Sequence, residues 1–124
     1  PGEGSVNRGV FELNDDGTLR NSREVFDLNH GHIQEKSLTP ETLCNVTLFG
    51  FHADAFDLLC AVLAAFKRDH VDDRRAECLL PDEIGNLIGA GKLVLDVYSS
   101  DETWIGITNP GDEEVAAHLL RTSR

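Results

Sequence analysis

Hydrophobic and polar positions recur along this chain regularly enough to divide it into elements. From Ser5 to Leu13, Val6 and Val10 share one side with Arg8 and Glu12, while Phe11 and Leu13 share the other. That alternation predicts a strand. Neither side is cleanly apolar, so the strand is expected to be covered on both faces or to lie partly at an edge. Asn14-Asp15-Asp16-Gly17 carries the Asp-Gly signal of a hairpin turn. Thr18–Leu28 is then the returning strand, with Leu19, Val25, Phe26 and Leu28 as its apolar residues and Asn21-Ser22 as an interruption. Residues 29–42 are polar, hold Gly31 and Pro40, and read as a surface loop.

Leu43–Phe51 returns to strand character. Helical spacing follows: over residues 53–69, Phe56, Leu59, Leu63 and Phe66 repeat at intervals of three and four, with Leu58 and Val62 beside them. A face of that width calls for burial against a sheet. After a charged connection through Asp72-Asp73-Arg74-Arg75, a second helix is predicted over residues 81–90. Pro81 suits its first position, Asp82 and Glu83 its positive end, and Gly91 the left-handed position past its end. Ile84, Leu87 and Ile88 make its apolar stripe. Strands are expected near residues 93–98 and 103–108, and a third helix near 110–121, capped by Asn109. Three helices among four or five strands place the 124 residues in a single α/β domain, a mixed sheet with flanking helices.

Composition narrows the function classes. The formal charge is −11, from 22 acidic against 11 basic residues, and such a surface repels phosphate backbones. Binding to nucleic acid is therefore not expected. No apolar run is long enough for a membrane span. Cys44, Cys60 and Cys78 are odd in number and lack Cys-x-x-Cys spacing. They read as buried packing residues of a reducing, cytoplasmic compartment. His30-x-His32 has no second paired motif at the spacing of a structural zinc site.

Several stretches, taken in order, resemble one family. They are Val6-Asn7-Arg8-Gly9-Val10, Asn45-Val46-Thr47-Leu48-Phe49-Gly50-Phe51, Glu77-x-Leu79-Leu80-Pro81, Ile84-x-x-Leu87-Ile88-x-x-Gly91, and Trp104-x-Gly106-Ile107-Thr108 with Asp112 and Val115. Together they resemble the carboxyl half of the sugar-1-phosphate nucleotidyltransferase-like proteins, in the nucleotide-diphospho-sugar transferase superfamily. The resemblance implies the carboxyl half of that Rossmann-like fold, as a fragment of a larger domain preceded by an upstream piece. It implies a parent that transfers a nucleoside monophosphate from an NTP to a sugar 1-phosphate, releasing pyrophosphate with the help of Mg²⁺.

The Gly-rich activating loop of that family does not occur in this chain, so no catalytic residue is assigned and the chain alone is expected to be inactive. What the resemblance assigns is the sugar side: Glu24 accepting from a sugar hydroxyl, and Asn45 and Thr47 on the strand lining the pocket. Trp104 reads as a core residue or, at a strand end, as one that can stack on a base or sugar. The family's second metal-ligand motif has an aspartate where Gly106 stands here, leaving Asp101 and Glu102 as the candidate Mg²⁺ ligands. Ligand is expected in a crevice beyond the carboxyl ends of Leu43–Phe51 and Leu93–Ser99. A second reading stands beside this one: a non-catalytic acidic α/β module for binding or oligomerisation, whose open sheet edge could pair with another copy.

Overall fold

The computed structural model describes residues 6–28, 35–39, 41–101, 104–107 and 110–122. Its described elements run β1 (Val6–Leu13), β2 (Leu19–Leu28), β3 (Leu43–Cys44), α1 (Ala55–Asp69), α2 (Leu80–Gly89) and α3 (Asp112–Thr122). The chain is thus α/β, with a three-stranded sheet of order β2-β1-β3. Both strand pairings are antiparallel, where a mixed sheet was expected.

The hairpin forms where its turn signal lies. Asn14 N–H donates to Thr18 O at 2.9 Å and Gly17 N–H to Asn14 O at 3.1 Å. Asp16 accepts from both the amide and the hydroxyl of Thr18. Gly17 has φ +87°, the left-handed backbone that glycine adopts without a Cβ penalty. β2 runs unbroken through Asn21-Ser22, because those residues pair with Glu12 and Phe11 of β1. The interruption expected there does not occur. β1 is the central strand, and it is covered on both faces. Val10, Val25 and Leu38 form one small core, with Leu28 packed against it. Leu38 belongs to the segment read as a surface loop, of which residues 29–34 and 40 lie outside those described.

On the other side lies α2. Its carboxyl end closes as its glycine signal predicts: Lys92 N–H reaches Leu87 O, Gly91 N–H reaches Ile88 O, and Gly91 has φ +67°. These are the two bonds of a Schellman closure. Ile84 and Leu87 are its buried residues. Gly85 lets the helix come close to β2, since any Cβ there would collide with the backbone oxygen of Ser22.

Three expected strands are corrected. Leu43–Phe51 is a strand only at Leu43 and Cys44, because Thr47 takes a left-handed φ of +62° and its N–H bonds Asn45 Oδ1, turning the chain out of the sheet. Residues 93–98 are extended but meet the hairpin at one bridge, Thr18 to Asp96, with Leu19 N–H donating to Leu95 O at 2.8 Å. No longer ladder forms: further along that edge of β2, α2 takes the Glu24 N–H through Asp82 and packs Gly85 against the Ser22 carbonyl. Residues 104–107 form no strand either; Thr108 and the expected cap Asn109 lie outside the described residues.

Helix α1 forms as predicted, yet none of its residues is buried, and it makes no extended contact with any described strand or helix. The expected docking on the sheet does not occur. Cys44 and Cys60 are exposed and Cys78 is half-buried, so the thiols are not the packing residues expected. Among the described residues no helix is long and apolar enough to cross a membrane.

Candidate functional site

Gly9, in the middle of β1, is the point on which the sequence-predicted residues converge. On one side it pairs with Glu24 of β2. On the other its carbonyl accepts the Asn45 N–H at 2.8 Å. Because the Gly9 carbonyl is turned towards Asn45, Gly9 and Glu24 form a pair that exchanges no backbone hydrogen bonds, and the Glu24 N–H points out from the edge of β2. Asp82, in the first turn of α2, accepts that N–H at 2.6 Å. Glu24 and Asn45 therefore flank Gly9, about two strand spacings or ~10 Å apart.

The Pro81 ring sits between them. A Cβ on Gly9 would lie 2.8 Å from Pro81 Cγ and 3.3 Å from Asn45 Cβ, so only glycine allows the helix start this close to the strand. The result is an apolar ring flanked by a carboxyl and an amide. The Glu24 carboxyl is held above its ordinary range, first by burial and then by the Asp82 charge, with the Arg8 guanidinium pulling the other way.

Arg8 lies one residue from Gly9, on the opposite face by strand alternation. Its charge is felt at Glu24 and also at Cys44, whose thiol is raised by partial desolvation although the residue as a whole is exposed, with Arg8 offsetting part of that rise. The guanidinium carbon stands 4.6 Å from the centre of the Trp104 ring, a cation–π arrangement. Trp104 is 48% exposed, and its ring folds back over Gly106, where a Cβ would overlap the indole.

Of the predicted site residues, the fold thus brings Glu24 and Asn45 to the same strand position and links Trp104 to it through Arg8. Thr47 stands just past the end of β3, in the turn closed by Asn45 Oδ1, which spends one acceptor of that amide locally. Asp101 is exposed, and Glu102 lies outside the described residues. Among the described residues no group of three or more His, Cys, Asp and Glu side chains is placed to hold a metal ion; His30 and His32 also lie outside them.

The expected crevice between strand ends is not formed, because neither of the two segments named for it is a full strand. A cavity of about 470 Å³ opens instead where the chain enters β3 beside the carboxyl half of β1, lined by Phe11, Leu13, Ser37, Leu38, Glu41 and Leu43 among others. Glu24 and Asn45 do not line it.

Sequence reasoning missed Arg8 and Asp82 as members of this neighbourhood. One signal was available: a glycine inside a strand marks a close approach of another backbone, and Gly9 is flanked by Arg8. No protein-family model matches the sequence, and no curated protein is significantly similar to it.

Proposed function

We propose that this chain is the sugar-side portion of a nucleotidyltransferase, which holds a sugar 1-phosphate for attack on the α-phosphorus of an NTP. The observation that carries the reading is the flanking of Gly9 by Glu24 and Asn45, with the Pro81 ring between them. A pyranose offers an apolar C–H face and a rim of hydroxyls. An apolar ring with a carboxyl and an amide on either side suits that shape. The sequence resemblance assigns Glu24 and Asn45 to sugar contact on separate grounds. Sugar positioning supplies only part of the reaction, because clamping the triphosphate and neutralising its charge fall to the activating half and to Mg²⁺.

Titration of the chain with α-D-glucose 1-phosphate and other hexose 1-phosphates tests this reading. Amide shifts should concentrate at Gly9, Glu24 and Asn45, and Glu24→Ala should weaken binding by about ten- to hundredfold, the worth of a hydrogen bond to a charged group. Shifts centred on the cavity at Phe11 and Leu38, or none with any hexose phosphate, would remove the assignment.

The second reading, a binding or oligomerisation module, is favoured by α1, whose Phe56 is 59% exposed on a helix with no buried residue. Sedimentation that stays monomeric across a hundredfold concentration range would count against self-association.

A further inference from the structure

Helix α1 carries a projecting ring at one end and an opening that would receive such a ring at the other. Phe56, in its first turn, is 59% exposed. At its carboxyl end a cavity of about 440 Å³ is lined by Leu63, Phe66, Lys67 and His70, with Val71 and Cys78 of the following connection among its walls. Leu63, Phe66, Lys67 and His70 stand at i, i+3, i+4 and i+7. Four residues so spaced form the hole that takes a side chain of a facing helix in knobs-into-holes packing. A cavity of about 150 Å³ already takes a benzene ring, so a phenylalanine side chain fits.

The opening is held in shape. Phe66 and His70 stack with ring centroids 4.1 Å apart, and the Phe66 carbonyl accepts from His70 Nδ1 at 2.9 Å. Together they present an aromatic wall. Phe56, Cys60, Leu63 and Lys67 are all exposed and recur at i, i+4, i+7 and i+11, so ring and cavity lie on one line along the helix. About ten residues, or ~15 Å of helix, separate Phe56 from the middle of the cavity. The ring therefore cannot fill the cavity of its own chain.

We propose that α1 pairs with α1 of a second copy of this chain, antiparallel about a twofold axis near Ala61 and Val62, with each Phe56 seated in the other copy's cavity. This deepens the oligomerisation reading above and rests on it, naming the partner and the surface. A twofold makes the patch self-complementary, so two rings and two cavities are matched at once. Parallel pairing in register would set ring against ring and leave both cavities empty. Charge favours the same direction: the acidic first turn, with Asp57, comes over the basic last turn, with Lys67 and Arg68, of the partner subunit. Asp69 lies about 140° round the helix from Phe56, away from this seam. Elsewhere a chain of charge −11 repels its own copies, which favours the patch where unlike charges meet. One helix against one helix covers less than the ~1,200 Å² of a standard interface, so the dimer is weak and the dilute chain is monomeric.

Sedimentation equilibrium of the full chain reads the dimer directly. The wild-type chain should pass from monomer to dimer as its concentration rises. Phe56→Ala should weaken dimerisation by about tenfold or more, since it removes an aromatic anchor from two cavities at once. Val71→Glu, at a position 76% exposed, sets a carboxylate at the mouth of the cavity and should weaken the dimer as far. Neither residue is buried, and circular dichroism checks that both variants keep their helices.

Mixing the two variants is the sharper measurement. The Phe56→Ala chain keeps its cavity and the Val71→Glu chain keeps its ring, so a mixed dimer regains one of the two contacts. An equimolar mixture should therefore dimerise more strongly than either variant alone. A mixture no better than its components overturns the reciprocal seating. A wild-type chain that stays monomeric overturns the proposal and the self-association reading together. A dimer indifferent to both substitutions, as one built through α3 or the open edge of β1 would be, overturns the proposal and leaves self-association standing. Growth beyond dimers means head-to-tail contact in place of the twofold, and overturns it as well.

Discussion

Helices α1 and α2 begin from the same kind of sequence and end in opposite situations. Both carry an apolar stripe at intervals of three and four, and both have acidic character in the first turn, Asp57 in α1 and Asp82 with Glu83 in α2. In α2 the stripe is used: Ile84 is 0% exposed and Leu87 is buried beside it. In α1, Phe56 and Leu63 remain 59% and 42% exposed. The difference lies in what each helix can touch. Helix α2 has glycine on its packing side, so its backbone comes down onto β2, and its first turn offers Asp82 to an edge N–H and Pro81 to the gap above Gly9. Helix α1 follows the turn at Thr47, which carries the chain away from the sheet after a two-residue β3. Amphipathic spacing makes a helix able to dock, and the local fit of backbone and edge decides whether it does.

The largest expected effect breaks that contrast at its centre. Ile84→Ala should destabilise the fold by about 2–5 kcal/mol, the usual range for emptying a fully buried aliphatic site. Leu63→Ala on α1 should change stability by no more than about 0.5 kcal/mol, as at exposed positions. Urea denaturation of the two variants compares them directly, and equal losses would mean that α1 is docked in solution.

A middle-sized effect has its sign reversed by packing. In a free helix Gly85→Ala would stabilise by about 1 kcal/mol. Here the added methyl meets the Ser22 carbonyl, so the substitution should cost about 1–3 kcal/mol instead. A rise in melting temperature would show that α2 does not approach β2 so closely.

The smallest effect concerns pH. The Glu24 carboxyl is raised above its ordinary 4.5 by burial and by Asp82, so the folded chain holds that proton more tightly than the unfolded chain does. The sign follows from linkage: stability associated with Glu24 is fully present below pH 4.5 and declines as pH rises through the higher folded value. Glu24→Gln should flatten the stability profile over that window. A wild-type profile that instead rises through it by the same amount in both proteins would show that Glu24 does not set the slope.

Which parts were legible in the sequence follows from the range of the forces involved. The ends of α2 and the Asn14–Gly17 turn depend on residues within a few positions of one another, and their signals held. Leu93–Val97 has β-forming residues but lacks a partner along its length, and a strand exists only where another backbone takes its hydrogen bonds. The turn at Thr47 breaks an otherwise strand-like run because Asn45 can bond its own backbone two residues on. For the site, the residue types were readable and the meeting point was not. Glu24 and Asp82 are 58 positions apart, and nothing local announces that one will accept a hydrogen bond from the other.

The contact between Asp82 and the Glu24 N–H has a consequence for how the molecule can grow. An outer strand usually offers its unpaired backbone groups as a template for any passing strand. On β2, the Glu24 donor is already taken and the Ser22 carbonyl is pressed against Gly85. That border is sealed by a helix. The opposite border is not, because among the described residues β3 pairs only with Val10 and Phe11 and leaves Glu12 and Leu13 without a strand neighbour on that side. Among the described residues, strand-by-strand extension of this sheet is therefore polar, closed at β2 and open at β1 beyond β3, and a strand added to it would enter from that side.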